Sequence, residues 1–133
     1  MPTYFTIQEA NEALPSVIQK FKALQKQREE VQKLESYLNS EMGMSHNLGD
    51  YATVKKQLNS AVTKFYTAIE ELENSGVILK SIDEGLLDFP SKRFDEDVWL
   101  CWKEGESEIK FWHEKDVGFM GRKPLSVSDE SLV

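Results

Sequence analysis

A single cysteine among 133 residues excludes an internal disulfide and any metal site assembled from several cysteines. No run approaches the roughly 20 consecutive apolar residues that a helix needs to cross a bilayer, so a membrane is not an expected partner. The first residues do not read as a charged-then-apolar signal peptide, which makes the cytoplasm the expected location. A basic excess is also missing, since 16 Lys and Arg stand against 23 Asp and Glu for a net charge of −7. Residues 1–75 carry 8 bases and 10 acids, and residues 76–133 carry 8 bases and 13 acids. Phosphate-tracking affinity comes from clustered Lys and Arg, so nucleic acid is not an expected partner either. What is present is a globular composition, 40% hydrophobic and 29% charged, in a length suited to one domain spanning 1–133.

The first half has a helical period. Thr6 and Glu9 are spaced as a capping box, in which each side chain bonds the other residue's backbone N–H. Apolar residues follow at Ile7, Ala10, Leu14, Val17, Phe21, Leu24, Val31, Leu34 and Leu38, with Arg28 breaking one seam position. Pro15 costs about 3 kcal/mol inside a helix, and the expectation is a bend that keeps the helical direction. Gly43 to Asp50 reads as a connector with Asp50 as the next N-cap. A second stripe runs through Tyr51, Val54, Leu58, Ala61, Phe65, Ala68 and Leu72 and stops at Asn74-Ser75-Gly76. Residues 1–75 are therefore expected to form a long antiparallel, coiled-coil-like helical hairpin.

After Gly76 the period falls to two. Residues 77–82, 86–89, 98–103 and 108–114 read as four short, mostly antiparallel strands, and residues 126–133 as a tail. The expected fold class is α+β. If Gly105-Glu106 form a two-residue loop, Leu100 faces Phe111, Val98 faces His113, and Trp99 faces Trp112 on the side away from the helices. A helix near 36 residues runs about 54 Å, whereas a six-residue strand covers about 20 Å. The surplus apolar seam leads to the expectation of a homodimer, through the helices or the Trp99/Trp112 face, or of a protein partner on the hairpin.

Chemistry-bearing residues gather after position 82. His113, Glu114 and Asp116 mix nitrogen and oxygen donors and could hold a divalent metal with Asp83 or Glu84. The same groups suit acid–base work, while Asp83-Glu84-Gly85 also reads as a simple turn. Arg122, beside Gly118 and Gly121, could hold a carboxylate or phosphate, or pin the C-terminal segment by pairing with Asp83, Glu84 or Asp88. Cys101, on an apolar strand, reads as a packed small hydrophobe. Asp95-Glu96-Asp97 reads as a solvated turn before the third strand.

At these residues the chain resembles the bacterial and archaeal domain of unknown function 2203 family. The resemblance is carried by Tyr4-Phe5-Thr6 with Glu9-Ala10-Asn11 and Leu14-Pro15, then by Asp83-Glu84-Gly85-Leu86 with Asp88-Phe89-Pro90. It continues through Leu100-Cys101-Trp102 and Trp112-His113-Glu114 with Asp116, Gly118-Phe119 and Gly121-Arg122. What it implies is a small cytoplasmic protein with no established activity. It also groups Asp83, Glu84, Asp88, Trp112, His113, Glu114, Asp116 and Arg122 as one signature. The reading is a non-enzymatic, self-associating or partner-binding module. Its alternatives are a metal-assisted or acid–base hydrolase using His113, Glu114, Asp83 and Glu84, and an anionic-metabolite binder using Arg122.

Overall fold

The structure, a computed structural model, describes residues 4–40 and 48–125. Two helices lead into a five-stranded antiparallel sheet, an α+β arrangement. They are α1 (Ile7–Asn39) and α2 (Leu48–Glu73), followed by β1 (Ile78–Ser81), β2 (Leu86–Arg93), β3 (Glu96–Lys103), β4 (Phe111–Glu114) and β5 (Lys123–Pro124). The strands lie side by side in chain order. Among the described residues no helix is long and apolar enough to cross a membrane.

The capping box forms as spaced: Thr6 N–H donates to Glu9 Oε1 and Glu9 N–H to Thr6 Oγ1, both at 2.9 Å. Pro15 lies inside α1, and the helix continues past it. Gly76, at φ +95°, ends the descent from α2, with Ser75 and Gly76 N–H groups bonded to the Leu72 and Glu73 carbonyls. Asp50 is not the N-cap. The helical backbone already includes Leu48 and Gly49, whose carbonyl accepts the Thr53 hydroxyl at 3.0 Å, so Asp50 sits in the first turn. Residues 43–47 of the expected connector and the tail 126–133 lie outside the described residues.

The chain divides into two compact units, Gln19–Glu71 on one hand and Met1–Ile18 with Leu72–Val133 on the other. In the first, Val31, Leu38, Leu58 and Ala61 form a buried cluster against which Leu34, Val54, Val62 and Phe65 pack. Residues 26–30 share a groove with 60–64, and residues 33–37 share one with 54–57, so the two segments run antiparallel. Tyr51, expected on this stripe, is exposed.

In the second unit the sheet has two unlike faces. Leu87, Phe89 and Ser91 of β2 lie opposite Trp102, Leu100 and Val98 of β3, and all six are buried. Phe5 packs edge-on against Phe89 with ring centroids 5.2 Å apart. Its N–H donates to the Pro90 carbonyl at 2.8 Å, and its carbonyl accepts the Ser91 hydroxyl at 2.7 Å. Pro90 thus occupies a stretch of β2 beyond its pairing with β1, where a missing N–H costs no ladder bond.

Three strand expectations need correction. First, β2 and β3 extend to Arg93 and Glu96 around a two-residue turn, Phe94-Asp95, with both φ positive at 51° and 64°. That is the twist a tight hairpin favours, reached here without glycine. The solvated turn expected at residues 95–97 is therefore mostly strand. Second, there are five strands instead of four, because Lys123–Pro124 pairs with β4. Two residues carry no alternation to read. Third, the β3–β4 register is shifted by one: Val98 faces Glu114, Trp99 faces His113, Leu100 faces Trp112, and Cys101 faces Phe111. Ile109 has left the ladder, its N–H donating to Asn11 Oδ1 at 2.6 Å, and the turn closes earlier, Glu106 N–H to the Lys103 carbonyl at 3.0 Å. A shift of one moves every β4 side chain to the other face. Trp99 and Trp112 consequently do not form a shared face.

Candidate functional site

The shifted register assembles the site. On the sheet face opposite Leu100, alternation aligns Asp88 of β2 with Cys101 of β3, and Trp99 of β3 with His113 of β4. Asp88, Cys101 and His113 are 2%, 1% and 3% exposed, and their ligand-type atoms all lie within 4.8 Å of one another. They form the floor of a cavity of about 420 Å³. Its walls are largely apolar, with Leu86 and Trp99 from the sheet and Val117, Phe119 and Met120 from the segment after β4. Lys80, Lys115 and Glu84 supply its charges.

Local structure explains how each wall is placed. Gly85 turns the β1–β2 hairpin at φ +69°, where an added Cβ would stand 2.5 Å from Glu104 Cβ. The β1–β2 register slips between Leu79 and Ser81, and Lys80 at that slip lies with its Nζ 5.1 Å from the Trp99 ring centroid. After β4, one 3-10 turn at Phe119–Gly121 closes the segment back, Gly121 N–H bonding the Gly118 carbonyl at 2.9 Å.

Hydrogen bonds fix the protons of the floor. His113 Nδ1 lies 2.9 Å from the Glu114 carbonyl, which only accepts, so Nδ1 carries hydrogen. Nε2 lies 3.2 Å from Asp88 Oδ1, and one proton is shared across that contact. The Cys101 sulfur lies beside this pair, within 4.8 Å of both. Burial pushes the Asp88 carboxyl up, with His113, Lys80 and Cys101 pulling it back. Burial and the Asp88 charge push the Cys101 thiol up to about 12, against the pull of Arg122. At neutral pH the thiol is protonated and a weak nucleophile.

Of the signature residues, the structure brings Asp88 and His113 together and distributes the rest. Glu84 reaches the cavity from the exposed β1–β2 turn, where its N–H donates to Ser81 Oγ at 3.0 Å, while Asp83 is exposed in the same turn. Trp112 and Glu114 fall on the opposite face from His113. There Arg93 and Lys123 lie over the Trp112 ring at 4.7 and 5.1 Å, and Lys123 pairs with Glu114, holding its carboxyl below the usual range. Asp116 is exposed in the turn after β4. A metal set of His113, Glu114 and Asp116 is not assembled, because adjacent strand residues point apart. Arg122 does not pair with Asp83, Glu84 or Asp88. It bonds Glu106 Oε2 at 3.0 Å and lies over Phe111 and Phe119 at 3.9 and 4.3 Å from their centroids. That arrangement pins the C-terminal segment and occupies the guanidinium.

Sequence reasoning passed over Cys101 and Trp99 as members of this site, and Lys80 entirely. Only the strand registers reveal them, since an apolar strand cysteine looks the same whether it packs in a core or floors a cavity.

Neither a curated protein nor a solved structure matches this chain. The family described as "Uncharacterized conserved protein (DUF2203)" matches over residues 3–125, nearly the whole chain, and the protein belongs to that family of domain of unknown function 2203.

Proposed function

We propose that the protein is a binding module whose ligand enters the cavity on the outer sheet face. One observation carries the reading: three buried polar side chains of different chemistry, Asp88, Cys101 and His113, floor a cavity with mostly apolar walls. Buried polar groups placed for stability alone are normally enclosed by packing, whereas few convergent polar groups under an apolar cavity are the usual form of a small-molecule site. The ligand class that fits has an apolar body against Leu86, Trp99 and Phe119 and an anionic end within reach of Lys80 and Lys115. Anion binding thus moves from Arg122, which Glu106 and two rings engage, to these two lysines. The free thiol of Cys101 fits a reducing, cytoplasmic setting.

Trp99 in the cavity wall is the reporter. A panel of aryl and short-chain carboxylates and phosphate esters is expected to include one that changes tryptophan emission saturably and raises the melting temperature. The emission change disappears in Trp99→Phe, and affinity falls about tenfold in Lys80→Ala, the scale of one charge-assisted bond. A panel that leaves emission and melting unmoved in the wild type overturns the reading.

A second reading is self-association of residues 19–71 as a coiled-coil-like element. It is favoured by an apolar groove at Leu34, Tyr37 and Val54 in which Tyr37 is 48% exposed.

A further inference from the structure

We propose that Asp88, Cys101 and His113 form a binding site for a divalent transition metal, with Zn²⁺ the best-matched ion. One carboxylate, one thiolate and one imidazole are a borderline-soft donor set that suits zinc, whereas magnesium and calcium favour oxygen-only shells. Ligands at about 2.0–2.3 Å around a tetrahedral ion stand about 3.3–3.6 Å from one another. The atoms here lie within 4.8 Å of one another, with Asp88 Oδ1 and His113 Nε2 already at 3.2 Å. Closing that gap takes side-chain rotation on three adjacent strands and no change of register.

The imidazole is set up for the role. A ligating histidine normally gives its other N–H to a carbonyl or carboxylate, which fixes the tautomer and the ring. His113 does this through Nδ1 to the Glu114 carbonyl at 2.9 Å, leaving Nε2 directed to Asp88 and the cavity. Charge bookkeeping favours a divalent ion. The floor holds one proton on the Cys101 sulfur and one shared between Asp88 and His113, so its net charge is zero. Replacing those two protons by one M²⁺ leaves thiolate, carboxylate and neutral imidazole around the ion, again with net charge zero. A buried site therefore gains no net charge on loading, which avoids the desolvation cost that excludes isolated buried ions. Three protein ligands leave a fourth tetrahedral position, and the cavity lies over the floor on that side.

This inference deepens the cavity reading, resting on it for the fourth position alone, and its test uses metal alone. Co²⁺ added to the apo-protein is expected to give intense visible d–d bands of a tetrahedral ion and a near-ultraviolet sulfur-to-cobalt charge-transfer band, at one ion per chain. Zn²⁺ abolishes both bands and raises the melting temperature by several degrees, by mass action on the folded state. Cys101→Ser removes the charge-transfer band, and His113→Gln lowers affinity at least tenfold. Should either variant fail to fold, the wild-type charge-transfer band still decides, because Cys101 is the only sulfur able to supply a thiolate. Absence of that band, or its persistence in Cys101→Ser, overturns the metal site. An organic anion that binds where Co²⁺ gives no band removes the metal and keeps the cavity reading. A full cobalt spectrum with no organic ligand in the panel does the reverse.

Discussion

Asp88 shares a proton with His113 Nε2 at 3.2 Å and lies beside the Cys101 sulfur, and all three side chains are out of water. Removing it strands the Nε2 side of the buried His113, and a stranded buried group costs about 1–3 kcal/mol. Asp88→Ala is therefore expected to lower unfolding stability by about 2 kcal/mol in urea with an unchanged m-value. Asp88→Asn keeps the shape and can donate to Nε2, so its loss should be no more than about half as large. Equal losses for the two variants would show that packing, not hydrogen bonding, holds the floor. This network was half legible before the fold. Asp88 and His113 are two of the eight grouped signature residues, though nothing in the sequence pairs them, and the cysteine stood outside that group because its neighbours in sequence are Leu100 and Trp102, which belong to the opposite face. Neighbours along a strand report on the other side of the sheet, and the partners that matter lie across two registers.

Those registers belong to the elements. The helices were readable because a stripe repeats many times over 33 and 26 residues, and the capping box names its own end. Strands of four residues repeat twice at most, so their faces depend on where a turn closes. A two-residue loop at Gly105-Glu106 puts Trp99 opposite Trp112, but Asn11 intervenes from a position 98 residues away and takes the Ile109 N–H out of the ladder. No local pattern encodes that bond. Asn11→Ala leaves the N–H of a buried residue unpaired, and the expected loss is about 1–2 kcal/mol. Because the register sets which face carries His113, the same variant should also weaken Co²⁺ or ligand affinity, without touching the cavity. Asn11→Asp retains the acceptor and should keep both stability and affinity near wild type. A register that owes nothing to Asn11 would show as wild-type affinity in Asn11→Ala.

At the scale of the whole chain, charge and apolar surface pull self-association in opposite directions. Residues 1–75 are nearly balanced, with 8 bases and 10 acids, yet each copy carries −7 in all. Two copies brought together by Leu34, Tyr37 and Val54 gain apolar burial at that groove while their net charges repel. The Debye length shrinks from about 30 Å at 0.01 M salt to about 8 Å at 0.15 M, so salt weakens the repulsion and leaves the apolar contact intact. Association through the helices is therefore expected to tighten as salt rises across that range. A dimer held by cross-chain ion pairs would instead loosen. Light scattering behind size exclusion should move from the 15.3 kDa protomer toward twice that mass as salt and concentration rise. Tyr37→Asp adds a charge within the groove and should return the mass to the protomer while leaving Co²⁺ binding untouched, since Tyr37 and the metal-site residues lie in separate compact units. A protomer mass at high concentration in 0.15 M salt would remove self-association and leave the sheet cavity as the module's working surface.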